Sequence, residues 1–208
     1  MANANRPAGL VPVTTLSGSP WTGKGRQYFI SSTDVNPYYP GDIVVLSGNG
    51  DPNRGIPGIT LATPGTTGAP NASLGVFIAG GVFPDGAGYA NPADLDIAYI
   101  PAAKSQNYYA LVIDDPSVIF EIQEVGTGTL LTSASIGNNC NYVYSAPAAG
   151  VRVSGTQLDN TAAGAGAALN LKIMGLARRI DNAFGQYQKW WVKINNHQLG
   201  NGTGTAGV

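Results

Sequence analysis

Charge is the first thing this chain has little of. Of 208 residues, 11 are Lys or Arg and 12 are Asp or Glu, leaving a net charge of −1. Charged residues make up 11%, against roughly 25% in an average soluble domain. Without a basic excess there is no electrostatic footprint for holding a polyphosphate, so nucleic acid is not an expected partner. Cysteine is nearly absent too: Cys140 stands alone and excludes an intrachain disulfide. With His197 as the only histidine, no Cys/His spacing for zinc exists. No apolar run approaches the ~18 residues of a membrane span. The opening residues lack the apolar core of a signal peptide, so synthesis and folding in a reducing cytoplasm are expected.

What the chain does have is glycine, 29 residues, and a hydrophobic fraction of 43%. That fraction is enough for a sizeable core, and the glycines have no three-residue period, which excludes a collagen-like chain. So few charges give a free particle little colloidal protection. A surface covered by other protein is the expectation.

Between its ends the chain is strand-like. Arg26–Ser31, Ile43–Leu46, Ile56–Leu61 and Leu74–Ala79 are short apolar or β-branched runs bounded by Gly and Pro. Tyr108–Ile113 and Val118–Glu124 flank Asp114-Asp115-Pro116-Ser117 and read as a hairpin. Gly150–Ser154, Leu169–Leu176 and Trp190–Asn195 follow. Leu169, Leu171 and Ile173 alternate with polar residues, as do Trp190, Val192 and Ile194, so each trio shares one face of a sheet. Helical signals are confined to short turns near 92–95, 133–136 and 181–184.

The fold class that follows is mainly β, a barrel or sandwich of short antiparallel strands. An extended N-terminal arm, 1–16, precedes a β-rich body over 17–199, and a Gly-rich tail, 200–208, follows it. Within the body, residues 26–124 are candidates for one closed barrel, with 141–199 as a C-terminal β part beside it. Pro7 and Pro12 keep the arm extended, so that it could span about 50 Å across neighbouring molecules.

Residues that could carry chemistry each have a plainer role. A triad would need His197 as its base, yet no Gly-x-Ser-x-Gly elbow occurs. Asp114 and Asp115 are adjacent, point to opposite faces of an extended chain and sit before Pro116, which suits a turn. Gly80-Gly81 and Gly126-Thr127-Gly128 lack the Gly-Lys-Ser/Thr ending of a phosphate loop. Lys172, Arg178, Arg179, Lys189 and Lys193 make the C-terminal quarter locally basic beside Tyr187, Trp190 and Trp191, but strand alternation splits those charges between faces. Ten tyrosines against five phenylalanines suit a protein interface or a carbohydrate-binding face equally well. No catalytic, cofactor or metal residues are expected, and the chain is expected not to be an enzyme.

Several segments carry a resemblance. They are Met1–Val13, Tyr39-Pro40-Gly41-Asp42-Ile43-Val44, Tyr108–Glu124, and the ending from Asp181 through Trp190 to His197. Together they are similar to virion structural proteins of tailed bacteriophages. Gly41-Asp42 with its apolar run, followed by Leu74-Gly75-Val76, also resembles the small β-barrels of capsid decoration, or cement, proteins. That resemblance implies a protein of the capsid surface, made in the host bacterial cytoplasm. It would bind the major capsid protein and its own copies, commonly as a trimer, and reinforce the head. Interface residues expected on this reading are Leu10, Val11, Val13, Trp21, Trp191 and His197. The alternatives are a host-recognition or carbohydrate-binding module of a head or tail fibre, and a tail or connector component.

Overall fold

A computed structural model describes residues 3–65, 71–82, 94–161, 163–200, 204 and 206–207. The fold is mainly β, about 39% strand and 2% helix, in a sandwich-like arrangement. In chain order the strands are β1 Val11–Thr15, β2 Arg26–Ile30, β3 Ile43–Gly50, β4 Pro57–Leu61, β5 Gly75–Val82, β6 Asp94–Ile97 and β7 Tyr108–Ile113. They continue with β8 Val118–Gln123, β9 Asn139–Cys140, β10 Tyr142–Val143, β11 Gln157–Leu158, β12 Leu171–Leu176 and β13 Lys189–Ile194.

The first large sheet runs β3-β4-β2-β7-β5-β6, and an additional β3–β5 pairing joins its two sides. Five strands therefore close into a ring, with β6 appended outside β5. Most contacts are antiparallel, but the β2–β4 contact is parallel and rests on Phe29 opposite Gly58. The ring interior holds Tyr28, Ile30, Tyr38, Val44, Ile59, Leu74, Phe77, Ile100, Ala110 and Val112. Alternation sends Ile43, Val76 and Ile113 outward, into a second core shared with the neighbouring sheet. Strands buried on both faces are why these segments read as unbroken apolar runs.

The second sheet runs β1-β8-β13-β12-β9. Phe120, Ile122, Ile173, Trp190 and Val192 face the shared core, joined there by Leu10, Leu131 and Leu158. The two alternating trios lie as the pattern requires: Leu169, Leu171, Ile173, Trp190, Val192 and Ile194 are all buried. A bulge at Ile173/Gly175 shifts the β12–β13 register.

Four expectations are corrected. Tyr108–Ile113 and Val118–Gln123 are not a hairpin: β7 pairs with β2 and β5, whereas β8 pairs with β1 and β13. The Asp114–Ser117 turn is the corner where the chain leaves the barrel, which closes over 26–113 rather than 26–124. Residues 3–16 are not a free arm, because β1 pairs with β8 and Leu10 is only 1% exposed. Gly9 and Gly41, both at positive φ, let the two backbones touch there, with Leu10 N–H donating to Gly41 O at 3.0 Å. Gly150–Ser154 forms no strand. Gly150 has φ 85° and Val151 N–H bonds back to Ala148 O, so the segment turns instead.

The described tail residues also rest on their own chain. Gly207 N–H donates to Ala165 O, and Lys172 Nζ donates to Ala206 O. Of the short helical signals, Ser133–Ser135 is a single 3-10 turn capped by Thr132. Residues 181–184 are loop, Asp94 and Leu95 begin β6, and Pro92 and Ala93 lie outside the described residues.

Candidate functional site

Residues 5–12 run from the second sheet to the barrel wall, and the loop 144–155 returns beside them. Two hollows open along this seam. One, about 300 Å³, is walled by Ala8, Val11, Pro12, Trp21, Ile78 and Val153, with Leu10 and Phe77 beneath. The other, about 460 Å³, lies between Arg6-Pro7 and Pro147, Val151 and Val153. Val153 borders both, so they read as one groove. Neither wall contains a carboxylate.

Local sequence explains the shape. Pro147 cannot donate to a ladder and the Gly150 turn ends strand-like geometry after β10. Ser154 N–H donates to Pro40 O at 2.9 Å and anchors the loop on the barrel. That anchorage leaves Val11, Val151 and Val153 about 40% exposed (43%, 42% and 38%) in one place. Isolated exposed aliphatics are ordinary; three along one groove with a tryptophan form a contact surface.

An aromatic stack borders the groove. Tyr39 and Tyr99 lie nearly parallel, 6° apart with centroids at 5.6 Å. The guanidinium of Arg152 covers Tyr99 at 3.9 Å, a cation–π contact. Tyr144 stands nearby, its phenol pushed up by burial and by Asp42 and Tyr39. Beneath them, fully buried Asp42 accepts from Tyr39 N–H at 2.8 Å. Burial raises its carboxyl to about 6, while Ser154 and the Tyr39 N–H act the other way. Asp42 Oδ1, Tyr142 Oη and Thr156 Oγ1 are buried without a hydrogen-bond partner among the described residues.

The six expected interface residues separate. Val11 and Trp21 line the groove, and the Trp21 indole donates to Lys24 O. Val13 is half-buried in β1, away from the hollows. Trp191 is half-buried on the opposite face of β13 from Trp190, with Arg178 over its ring at 5.8 Å. Leu10 and His197, 1% and 2% exposed, are corrected: both are enclosed by their own chain and present no surface to a partner. His197 Nδ1 accepts from Leu199 N–H, and burial lowers its pKa, so the ring is held neutral with its acceptor nitrogen occupied. By sequence, Val151, Arg152 and Val153 read only as part of a strand, Tyr99 only among the ten tyrosines, and Tyr39 there and in the Tyr39–Val44 segment. The signal of the first three is present, an uncharged Ala-Pro-Ala-Ala-Gly stretch leading into Val-Arg-Val, but it reads equally as a strand.

The other features that could carry chemistry are internally satisfied. A wider hollow of about 700 Å³ lies between Lys24-Arg26 and Asp114-Asp115. Its carboxylates are spoken for: Arg26 pairs with Asp114 at 3.4 Å, Tyr28 Oη donates to the same carboxylate, and Asp115 caps Ser117 N–H. The basic C-terminal quarter is similarly divided. Arg179 and Lys189 both reach Glu121, and Lys172 holds Ala206 O. Tyr28, Tyr38, Tyr109 and Tyr142 are buried, so they form no part of an exposed aromatic face; Tyr89 lies outside the described residues. No His/Cys/Asp/Glu cluster suited to a metal occurs among the described residues. No described helix is long and apolar enough to cross a membrane.

No protein-family model matches this chain, and no curated protein and no solved structure matches it either.

Proposed function

We propose that this chain is a structural protein of a tailed-phage particle, a capsid decoration protein that binds the outer capsid surface and reinforces the head. The observation that carries the reading is the groove. It combines exposed valines, Trp21, a Tyr39–Tyr99–Arg152 stack and no carboxylate, the residue types that dominate the centres of protein interfaces. The partners are the major capsid protein and further copies of the chain, in the virion, with assembly in the host cytoplasm. Its role is mechanical and it has no catalytic residues. Scarcity of charge supports the same reading, since a surface destined for cover needs little colloidal protection.

The test is reconstitution on expanded capsids stripped of surface proteins. Saturable binding in many copies per particle, with a higher temperature of capsid rupture, is the expected result. A Val153→Asp variant should keep its fold and lose that binding. Occupancy of only a few sites at one vertex would instead make the chain a connector or tail component. Adsorption to host cells blocked by the purified protein would make it a recognition module.

A further inference from the structure

The groove also indicates the form in which its partner arrives. We propose that it captures an extended polypeptide segment of the partner, one carrying carboxylates between apolar side chains, rather than a preformed folded face. The inference rests on the groove being the docking face of this protein.

Two observations carry it. First, the main chain of Ser145, Ala146, Arg152 and Val153 makes no hydrogen bond within the described chain, although these residues wall the hollows or adjoin them. Main-chain groups covered by a partner need new hydrogen bonds. A folded face has already spent its own main-chain groups on its own ladders, whereas an extended segment brings free N–H and C=O groups along its length. Alternate side chains of such a segment would point into the hollows, whose walls are Val, Pro and Trp.

Second, the charge at the rim has one sign. Arg6 and Arg152 are exposed. They form no ion pair among the described residues, as is also true of Lys24, Lys172, Arg178 and Lys193. What distinguishes these two is that Arg6 lines the groove and Arg152 lies between its wall residues Val151 and Val153. Asp42 is fully buried beneath the groove, and no carboxylate lines either hollow. Two unpaired guanidinium groups beside an apolar trough favour carboxylates and repel lysine-bearing segments.

The test is an NMR titration of the full chain, followed at the Trp21 indole N–H and the Val151 and Val153 amides. The probes are three capped hexapeptides, alternating Val-Asp, Val-Lys and Ser-Asp. The Val-Asp peptide is expected to shift these signals saturably, and the other two should not. An Arg6→Gln/Arg152→Gln variant should bind it about tenfold more weakly while melting at the parental temperature. Equal binding of Val-Lys and Val-Asp, unchanged affinity in the double variant, or no binding of any peptide would each overturn the inference. Failure here is separable from failure of the capsid assignment. Capsid binding without peptide binding would leave the decoration role standing and remove the extended segment. Peptide binding without capsid binding would do the reverse.

Discussion

The barrel closes within residues 26–113 and keeps its carboxylates at its margins, whereas the sheet beside it draws strands from both ends of the chain and buries a carboxylate just past the end of β8, against Leu131 and Trp190. At the barrel, three tyrosines donate to three aspartates: Tyr28 to Asp114, Tyr38 to Asp34 and Tyr109 to Asp51, at 2.7, 2.7 and 2.6 Å. Each aspartate also has a cation within 4 Å, from Arg26, Lys104 and Arg54 respectively. In the second sheet, Glu124 is 0% exposed and is held entirely by neutral donors. They are Gln188 Nε2, Trp190 Nε1, Leu131 N–H and Asn160 Nδ2. A closed ring specifies its own register through pairing on every side. An open sheet built from distant segments lacks that constraint, and a buried acceptor met by donors from three separate segments supplies it.

The largest effect that would break this contrast is removal of residues 1–16. It deletes β1, the edge of the second sheet, and Leu10, which lies in the shared core. Loss of a fully buried leucine side chain alone costs about 2–5 kcal/mol. The truncated chain is expected to lose amide protection throughout β8 and β13 while β2, β5 and β7 stay protected. Hydrogen exchange reads this directly, and uniform loss across both regions would show that the barrel is not self-sufficient.

Next in size is Glu124→Ala. It leaves the buried Trp190 Nε1 and Leu131 N–H without their acceptor and takes one bond each from Gln188 and Asn160, which keep other acceptors, at a cost of about 3–5 kcal/mol. Urea unfolding should show the loss without a change in the barrel's exchange pattern. A loss below about 1 kcal/mol would mean that water replaces the carboxylate and that it does not fix the register.

The same contrast explains what could be read from sequence. Strand periodicity identified β2, β3, β4, β5, β7, β8, β12 and β13, because half-buried or fully buried strands imprint their own spacing. It could not say which sheet a strand joins. Asp114-Asp115-Pro116-Ser117 looks the same whether it reverses a hairpin or turns a corner between sheets. Leu10 looked like an exposed arm residue because its burial is produced by Ile113, Phe120 and other residues about a hundred positions away. The groove was hidden for a related reason: Val151 and Val153 have strand spacing, and only the turn at Gly150 and the Pro40 anchor show that they are not in a sheet.

Asp42 stands on the seam between the two regions, and titration sharpens its role. Its carboxyl is raised from 3.8 to about 6 by burial, so the folded chain binds that proton more tightly than the unfolded chain. Protonation therefore stabilises the fold. The gain is complete below about 4 and is lost as pH rises through about 6, with an amplitude of roughly 3 kcal/mol. Asp42→Asn should be more stable than the parent at pH 7.5 and should flatten the profile between pH 4 and 6. Denaturant midpoints at pH 4.5 and 7.5 check both, and a parental slope in the variant would assign the pH dependence to other groups.

The smallest effects belong to the barrel's margin, and they test whether its polar contacts are individually replaceable. Tyr28→Phe, Tyr38→Phe and Tyr109→Phe each delete one hydroxyl donor, and each aspartate keeps a cation. The expected loss is about 1–2 kcal/mol apiece, because a hydrogen bond to a charged group goes but no carboxylate is left alone. Tyr109 adds a second readout. Burial, and then Asp51, push its phenol up to about 12. The folded chain thus favours the neutral phenol, and that stability persists below about 10 and fades as pH rises through about 12. Tyr109→Phe should remove this alkaline decline while keeping the loss of about 1–2 kcal/mol at pH 7, as measured by denaturant midpoints at pH 7 and 11. A loss as large as that of Glu124→Ala would erase the distinction between a margin that tolerates local change and a buried carboxylate that does not.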